Sequence, residues 1–494
     1  MTGPRVVTAS GTLEGETVEA DVGASVRRFL GVPYAAAPEG SRRWRRPARP
    51  EPWRGVRAAR VFGPAAPQTA GLPSVLPSFR PAVTAEDCLT LNVWTPALDG
   101  HRPVLVWIHG GAFTSGGSSQ PVYDGARLAA EHDLVVVTLN YRLGALGFLS
   151  PPDAAGDRVA NAGLHDQLAA LAWVREHAGG FGGDPSSVTV VGESAGAGSI
   201  LHLLTAAGGP QSFDRAIAQS GEPRTLTQEQ GATVAATFTR MVEAHGGDAA
   251  RLESTPLPVL LAAQDAVARE LFGTVGVMVY APTVDGEFLA DDVLAATAGG
   301  RGADVAVVLG TTRDELRLFP DPTSDTLDPE RLRRRVARLV PASDPISTVS
   351  AYRVQLGAGA TNGDVWEAVR TDALMRIPNL RLAEARAAND ATTFLYRFDW
   401  AAPHLGAAYA VDLPFTFGTF DRESWGTAVG ADAAAEALGR ALRASWAAFA
   451  RDAVPSTDDV AWPAYEPARR ATMLFDRMSR VVDDPDAPIR GCYA

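Results

Sequence analysis

A serine flanked by glycines is the residue of this sequence best suited to nucleophilic chemistry. Ser194 lies within Gly192–Gly196, which reads Gly-Glu-Ser-Ala-Gly and follows the apolar, β-branched run Val188–Val191. In a G-x-S-x-G turn the chain passes sharply from a strand into a helix, and the glycines leave room for the serine Oγ to stand exposed above the sheet. An ordinary strand-to-helix turn can show the same five residues, so the neighbouring stretches must decide. The pattern predicts a strand, a nucleophilic Ser194 and then a helix.

A second glycine-rich stretch could supply hydrogen-bond donors to this serine. His109–Phe113 reads His-Gly-Gly-Ala-Phe and directly follows a predicted strand that ends at Ile108. Such a loop can turn successive backbone N–H groups toward the elbow, where they would stabilise the oxyanion of a tetrahedral intermediate. The alternative interpretation is a plain glycine turn after a strand. Because an elbow follows downstream in the same chain, we favour the donor loop over the plain turn. His109 belongs to the turn itself, so we interpret it as structural rather than as a base.

The elements that must position these residues alternate along the chain between strand and helix. Continuous apolar runs are typical of strands that are buried on both faces of a sheet. The predicted strands are Val26–Tyr34, Leu89–Trp94, Val104–Ile108, Leu134–Leu139, the elbow strand that begins at Val188, Arg215–Gln219, Val305–Leu309 and Thr393–Phe398. The predicted helices include Gly125–Glu131 and Asn161–Ala178. The alternation predicts an α/β fold with a mostly parallel sheet flanked by helices, and no composition break divides residues 1–494 into separate domains.

Composition and charge exclude several kinds of function. The chain has 494 residues and a net charge of −12, without a basic face that would favour nucleic acid or an anionic membrane as a partner. All 45 basic residues are arginine, which excludes Schiff-base, Ser-Lys and P-loop lysine chemistry. The two cysteines, Cys88 and Cys492, are too few for a disulfide framework or a metal cluster, and we expect neither a metal nor another cofactor. No apolar run is long enough to span a membrane and no secretory signal is visible in Met1–Arg5, so we expect a cytoplasmic protein.

Further motifs give the chain a specific resemblance. It resembles the type-B carboxylesterases, which include para-nitrobenzyl esterases, carboxylesterases and cholinesterases and have the α/β-hydrolase fold. The matching stretches extend through most of the chain: Phe29–Tyr34, Glu86–Val93, Trp107–Phe113, Asn140–Gly144, Gly163–Gln167, Phe181–Pro185, Gly192–Gly196, Ala218–Gly221, Gly310–Glu315 and Leu405–Gly418. The resemblance implies a single α/β-hydrolase domain with loop and helical insertions over residues 1–494. It also implies hydrolysis of a small-molecule ester or acyl substrate without a cofactor, and it leaves the oligomeric state open.

The resemblance also assigns roles to individual residues. Ser194 would be the nucleophile and Glu315 the carboxylate that orients the base. Read without the motif around it, Glu315 would more often cap a helix or face solvent. The oxyanion-hole N–H groups would belong to Gly111, Ala112 and Ala195. Two arginine–carboxylate pairs, Arg142 with Asp166 and Arg43 with Glu86, would hold loops. Disulfide-bearing relatives have a cysteine near Ala66, so Cys88 is expected to remain a free, buried thiol.

One position departs from the family pattern. Relatives read approximately L-G-A-C-H-G-L-E-L-P-F-V-F-G where this chain reads Leu405–Gly418, and the matching ends fix the register so that Tyr409 occupies the place of the catalytic histidine. A tyrosine is protonated at neutral pH and does not activate a serine as histidine does. Of the eight histidines, His404 alone follows Glu315 in the expected order of nucleophile, acid and base, which makes it a candidate replacement. A solvated loop residue is the alternative interpretation of His404.

Three functions remain open from the sequence. The first is an ester hydrolase that uses Ser194 and Glu315, with His404 or another proton acceptor as the base, or with reduced activity. The second is a catalytically impaired binding protein on an esterase scaffold, in which Tyr409 fills the space of the histidine. The third is a repurposed acyl transferase or cyclase, in which the Tyr409 hydroxyl donates or relays a proton. The presence of Ser194 favours the enzymes, because a purely binding role has no use for it.

Overall fold

The structure is a computed structural model that describes residues 3–69, 81, 83–150, 158–422 and 424–493. Met1 and Thr2, which belong to the N-terminal stretch considered for a secretory signal, lie outside the described residues. The strands of the described part are β1 (Arg5–Thr8), β2 (Gly11–Glu14), β3 (Glu16–Ala20), β4 (Ala24–Pro33), β5 (Val56–Ala58), β6 (Thr90–Thr95), β7 (Arg102–Ile108), β8 (Val135–Leu139), β9 (Gly183–Glu193), β10 (Arg215–Gln219), β11 (Ala306–Thr312), β12 (Thr393–Phe398), β13 (Ala471–Phe475) and β14 (Arg480–Asp483).

Helices connect most of these strands. The α-helices of the described part are α1 (Ala126–His132), α2 (Gly144–Phe148), α3 (Ala162–His177), α4 (Ala195–Thr205), α5 (Gln228–Ala244), α6 (Leu257–Leu271), α7 (Val293–Ala298), α8 (Pro329–Leu339), α9 (Pro345–Leu356), α10 (Asn362–Thr371), α11 (Ile377–Ala387), α12 (Leu413–Phe417), α13 (Trp425–Val429), α14 (Ala433–Asp452) and α15 (Ala487–Arg490). A π-helical turn, Asp372–Arg376, joins α10 to α11.

One large sheet forms the centre of the molecule. Its eleven strands lie in the order β14-β13-β12-β11-β10-β9-β7-β8-β6-β4-β3, and a separate sheet has the order β1-β2-β5. The neighbours from β13 through β12, β11, β10, β9 and β7 to β8 pair in parallel, whereas both ends of the sheet are antiparallel. The predicted mostly parallel sheet with flanking helices is therefore confirmed.

The central strands are buried on both faces because their side chains alternate between two apolar layers. In β7, Val104, Val106 and Ile108 join one buried cluster, while Leu105 and Trp107 join the cluster on the other face. Successive residues of a strand point to opposite faces, so a run of consecutive apolar residues is what two covered faces require. This arrangement explains why continuous apolar runs predicted these strands correctly.

The elbow strand is longer than the sequence predicted. It begins at Gly183 rather than Val188, because Gly183 pairs with Arg102 of β7 across a bulge that precedes Val104. This early section contains polar and proline residues that carry no strand signal of their own. Pairing with a neighbouring strand therefore extends β9 beyond its apolar section.

The two predicted ion pairs are present and fix loops near the centre of the fold. Arg142 Nη2 lies 2.6 Å from Asp166 Oδ1, and both side chains are almost fully buried. The Arg43 guanidinium donates from Nε to Glu86 at 2.7 Å and also to the carbonyl oxygen of Thr255 at 2.7 Å. Cys88 is a buried free thiol, as expected. Within the described ranges, no helix is long and apolar enough to cross a membrane.

Candidate active site

The predicted elbow lies where β9 ends at Glu193 and α4 begins at Ala195. Ser194 has φ 62° and ψ −129°, a conformation that side chains rarely adopt outside such sharp turns. A Cβ atom on Gly196 would come within 2.0 Å of the Ile108 carbonyl oxygen, so glycine is required where the elbow crosses β7. The Ser194 N–H donates to the Gln219 carbonyl oxygen of β10 at 3.0 Å. Backbone contacts with both neighbouring strands thus hold the serine in place.

The predicted donor loop follows β7 and lies against the elbow. A Cβ atom on Gly110 would lie 2.7 Å from the Ser194 Cβ, which shows how closely the two backbones approach. The loop turns through positive φ angles at Gly111 (121°) and Ala112 (52°), and the N–H of Ser115 closes it on the Gly111 carbonyl oxygen at 3.0 Å. Within the described ranges, the backbone N–H groups of Gly111, Ala112 and Ala195 have no recorded backbone acceptor.

His109 has a structural environment, in agreement with its interpretation from the sequence. Its ring is buried and stacks on Tyr141 with centroids 4.6 Å apart, and its Nδ1 lies 2.8 Å from the Gly110 carbonyl oxygen. Burial lowers the pKa of His109 to about 4, against a smaller opposing effect of the bond to Gly110. The imidazole stays neutral at neutral pH and helps to fix the donor loop.

Glu315 follows β11 and is fully buried. Both of its carboxylate oxygens are occupied, because Oε1 accepts from the Thr312 N–H at 2.8 Å and Oε2 accepts from the Thr312 hydroxyl at 2.7 Å. Burial raises the pKa of Glu315 to about 7, although the Thr312 hydroxyl lowers it. The nearby Ser220 hydroxyl also lowers this pKa without forming a full hydrogen bond. Glu315 therefore ionises near neutral pH.

Tyr409 lies near both the nucleophile and this carboxylate. Its backbone N–H donates to the Glu315 carbonyl oxygen at 3.3 Å, and its ring packs edge-on against Phe319 with centroids 5.4 Å apart. Burial raises the pKa of Tyr409 well above its ordinary value, and the nearby Glu193 carboxylate raises it further. The nearby Ser194 hydroxyl is an opposing influence that lowers this pKa. Tyr409 is thus a neutral phenol beside Ser194 and Glu315.

His404, the candidate replacement base, lies at the tip of a tight turn. The turn is closed by hydrogen bonds in both directions between Ala402 and Gly406, at 2.9 and 3.0 Å, and His404 has φ 64° and is exposed to solvent. In the described part of the chain, no recorded contact joins His404 to Ser194 or Glu315. The structure brings Ser194, Glu315 and Tyr409 together and leaves His404 at the surface.

Comparison with known proteins identifies the family. A model of the carboxylesterase family matches residues 2–487. This chain belongs to that family. It is 36% identical to the para-nitrobenzyl esterase of Bacillus subtilis (strain 168), covering 99% of this chain and 98% of that protein, and 36% identical to the phenmedipham hydrolase of Pseudarthrobacter oxydans, covering 93% and 94%. A solved carboxylesterase of Geobacillus stearothermophilus has a TM-score of 0.87 and 37% identity, covering 99% of this chain and 100% of that one. The family and the α/β-hydrolase fold that the motifs predicted are confirmed.

The sequence analysis gave no role to three other carboxyl groups near Tyr409 and Glu315: those of Glu193, Glu222 and Asp412. Burial raises the pKa of Glu193 far above its usual range, and Asp412 and Glu315 raise it further. Burial raises the pKa of Asp412 to about 6, although Asp412 Oδ2 accepts from Gln219 Nε2 at 2.9 Å. Burial raises the pKa of Glu222 to about 7. Glu193 is part of the elbow motif, Asp412 lies three residues after Tyr409 in the matched segment Leu405–Gly418, and Glu222 directly follows the matched segment Ala218–Gly221, so the motifs themselves were the signal that could have found them.

Proposed function

We propose that this carboxylesterase hydrolyses carboxylic esters through attack of Ser194 on the ester carbonyl. The observation that supports the proposal is the approach of the donor loop to the elbow, where a Cβ atom on Gly110 would lie 2.7 Å from the Ser194 Cβ, so that the N–H groups of Gly111 and Ala112 would lie beside the serine. Together with the N–H of Ala195 they would bind the oxyanion of the tetrahedral intermediate. Each such donor contributes about 10²-fold or more to turnover.

The reaction would proceed through an acyl-enzyme. Ser194 Oγ attacks the carbonyl carbon, the oxyanion collapses with loss of the alcohol, and water then releases the acid by the reverse sequence. The neutral Tyr409 hydroxyl would accept the hydrogen bond of Ser194 and orient its lone pair toward the substrate. Because a phenol is a much weaker base than an imidazole, we expect slower turnover than a histidine would support, since removal of histidine from such a triad costs on the order of 10⁶-fold.

The substrate class is a small-molecule ester. Two relatives are named para-nitrobenzyl esterase and phenmedipham hydrolase, which supports aromatic esters and related acyl compounds as the first substrates to test. No part of the proposed chemistry requires a metal or an organic cofactor, because the nucleophile and the oxyanion donors belong to the chain.

A matched pair of serine variants tests the proposal. Hydrolysis of para-nitrophenyl acetate and covalent labelling by a fluorophosphonate probe should both be lost in Ser194→Ala. Ser254→Ala, which removes an exposed hydroxyl that only bonds to its own turn, should keep both. Equal hydrolysis by the parent and Ser194→Ala would contradict the proposal.

Tyr409 also favours a second candidate function, acyl transfer or cyclisation. A neutral phenol near the nucleophile can donate a proton to a leaving group, yet it activates water poorly. An acyl-enzyme that resists water would then react with a bound alcohol or amine. Accumulation of an acylated Ser194 that a nucleophilic alcohol releases faster than water does would favour this candidate, whereas no acylation at all would favour a binding protein.

A further inference from the structure

The turn that contains Glu222 is fixed beside the elbow. Strand β10 pairs in parallel with β9, so that Gln219 lies opposite Glu193 and the chain after β10 leaves the sheet next to Ser194. A Cβ atom on Gly198, in the first turn of α4, would lie 3.0 Å from the Glu222 carbonyl oxygen. Asn379 Nδ2 donates to the Gly221 carbonyl oxygen at 2.8 Å and holds the turn from the opposite side.

The carboxyl groups near Tyr409 differ in their capacity to take up a proton. Both oxygens of Glu315 already accept hydrogen bonds from Thr312. Burial, together with its acidic neighbours, raises the pKa of Glu193 well above its usual value, which disfavours the ionised form that a proton acceptor needs. Glu222 is half-buried, and within the described ranges no hydrogen-bond partner is recorded for its carboxyl group.

We propose that Glu222 receives the proton of Ser194 through the hydroxyl of Tyr409. This inference rests on the proposed function of Ser194, because it assigns the proton acceptor for that nucleophile. Tyr409 lies close enough to both groups for Ser194 and Glu222 to act on its ionisation. Glu222 acts on the nucleophile only through Tyr409, directly or with one bridging water.

The proton transfers balance in each half of the reaction. As Ser194 Oγ bonds to the acyl carbon, its proton moves to the Tyr409 oxygen while the phenolic proton moves to the Glu222 carboxylate. Tyr409 ends neutral, Glu222 ends as a carboxylic acid and the negative charge resides on the oxyanion. When the alkoxide leaves, it takes a proton from Tyr409, which is replenished from Glu222. Water repeats the cycle in deacylation.

The charges around this relay set its pH dependence. Arg224, two residues along the chain, lowers the pKa of Glu222 against the larger effect of burial, which leaves it at about 7. Glu193 and Glu315 lie near Tyr409, and His202 of α4, whose pKa burial lowers to about 4, lies 3.0 Å from the hydroxyl of Thr225, three residues beyond Glu222. Because a proton acceptor must be ionised to work, kcat/KM should rise with pH through about 7 and level off above it.

Variants of Glu222 and Tyr409 test the relay in the full-length chain with para-nitrophenyl acetate. Glu222→Gln should lower kcat/KM about 10²-fold or more and abolish the rise through pH 7. Glu222→Asp should keep that rise at a reduced rate, because it retains a carboxylate. Tyr409→Phe should lower kcat/KM as much as Glu222→Gln does, and the double variant should lose no more than either alone, since both belong to one relay.

A matched control and a labelling experiment separate the possible failures. Glu229→Gln removes an exposed carboxylate seven residues along the chain and should leave both the rate and the pH profile unchanged. If Glu222→Gln keeps the parent rate and profile while Ser194→Ala is inactive, the relay is wrong and the proposed function stands. If the parent shows neither hydrolysis that depends on Ser194 nor fluorophosphonate labelling, both are wrong. Folding of each variant is checked by circular dichroism.

Discussion

The backbone N–H of Tyr409 donates to the carbonyl oxygen of Glu315 at 3.3 Å. This bond joins the segment that contains Tyr409 to the turn after β11, so the phenol and the buried carboxylate are positioned relative to each other by the main chain. A side chain substituted at position 409 would therefore start from the same backbone position next to Glu315.

Tyr409→His should increase ester hydrolysis. The imidazole would stand beside Ser194 and Glu315, whose carboxylate would stabilise the imidazolium that forms. Because the two side chains differ in size and a misplacement of about 1 Å costs about 10²-fold, we expect a gain of about 10²-fold or more in kcat/KM rather than the full factor of about 10⁶. The measurement is kcat/KM on a small activated ester.

The same experiment needs the double variant as its control. A gain that disappears in Tyr409→His combined with Ser194→Ala would show that the new base acts on the elbow serine. If Tyr409→His folds normally and gains nothing, the pocket around position 409 no longer accommodates a base, and the acyl-transfer or binding functions are favoured.

Gly196→Ala should destabilise the protein and remove its activity. The added methyl group would lie 2.0 Å from the Ile108 carbonyl oxygen, so either β7 or α4 must shift. Overpacking of this kind typically costs about 1–3 kcal/mol, and the shift would also move Ser194 relative to the donor loop. Gly179→Ala is the control, because a Cβ atom there would meet no atom within 4 Å. Urea unfolding and esterase assays of both variants make the comparison, and a Gly196→Ala protein with parental stability would contradict the crossing geometry.

The Asp412→Asn variant should gain stability relative to the parent as the pH rises from about 4 to 6. Burial raises the pKa of Asp412 to about 6 in the folded state, whereas the unfolded carboxyl ionises near 3.8. Between these values the unfolded chain releases the proton more readily, so ionisation favours unfolding of the parent and the stability that protonated Asp412 provides is lost as the pH rises. The neutral amide of the variant does not ionise and avoids this loss. A pKa difference of about two units corresponds to a loss of about 3 kcal/mol in the free energy of unfolding of the parent.

The comparison uses the free energy of unfolding at pH 4.5 and pH 7 for the parent, Asp412→Asn and Asp459→Asn. Asp459 is exposed, so its variant should follow the parent at both values. Groups distant from Asp412 cancel in the difference, whereas Glu193 and Glu315, whose pKa values Asp412 raises, add to the gain in stability of Asp412→Asn as the pH rises. A constant difference between Asp412→Asn and the parent would show that Asp412 ionises equally well in the folded chain.

The sequence predicted those parts of the site that depend on local pattern. The run Val104–Ile108 predicted a doubly buried strand, and the glycines around Ser194 predicted an elbow whose crossing leaves no space for a side chain. The place of Tyr409 followed from a register that was fixed at both ends of Leu405–Gly418. In each case the determining residues are neighbours in the chain, so their spacing alone carries the information.

The rest of the site depends on contacts between distant segments. Glu222 reaches the elbow because β10 pairs with β9, and the segment that contains Tyr409 and Asp412 is tied to β10 by the bond between Asp412 and Gln219, which lies 193 positions earlier in the chain. Chain order made His404 a candidate base, but the two hydrogen bonds between Ala402 and Gly406 turn it toward solvent. Chain order restricts which residues could act, whereas strand pairing and turn closure decide which of them meet.

The tyrosine at position 409 also has a genetic consequence. Tyrosine and histidine codons differ only in their first base, so a single transition in the gene converts the relay position into the imidazole of the wider family. Random mutagenesis of this chain would therefore produce the Tyr409→His protein among its most accessible products. Growth selection on an ester as carbon source would then reveal whether the present site is a short mutational step from faster hydrolysis or has been shaped for other chemistry.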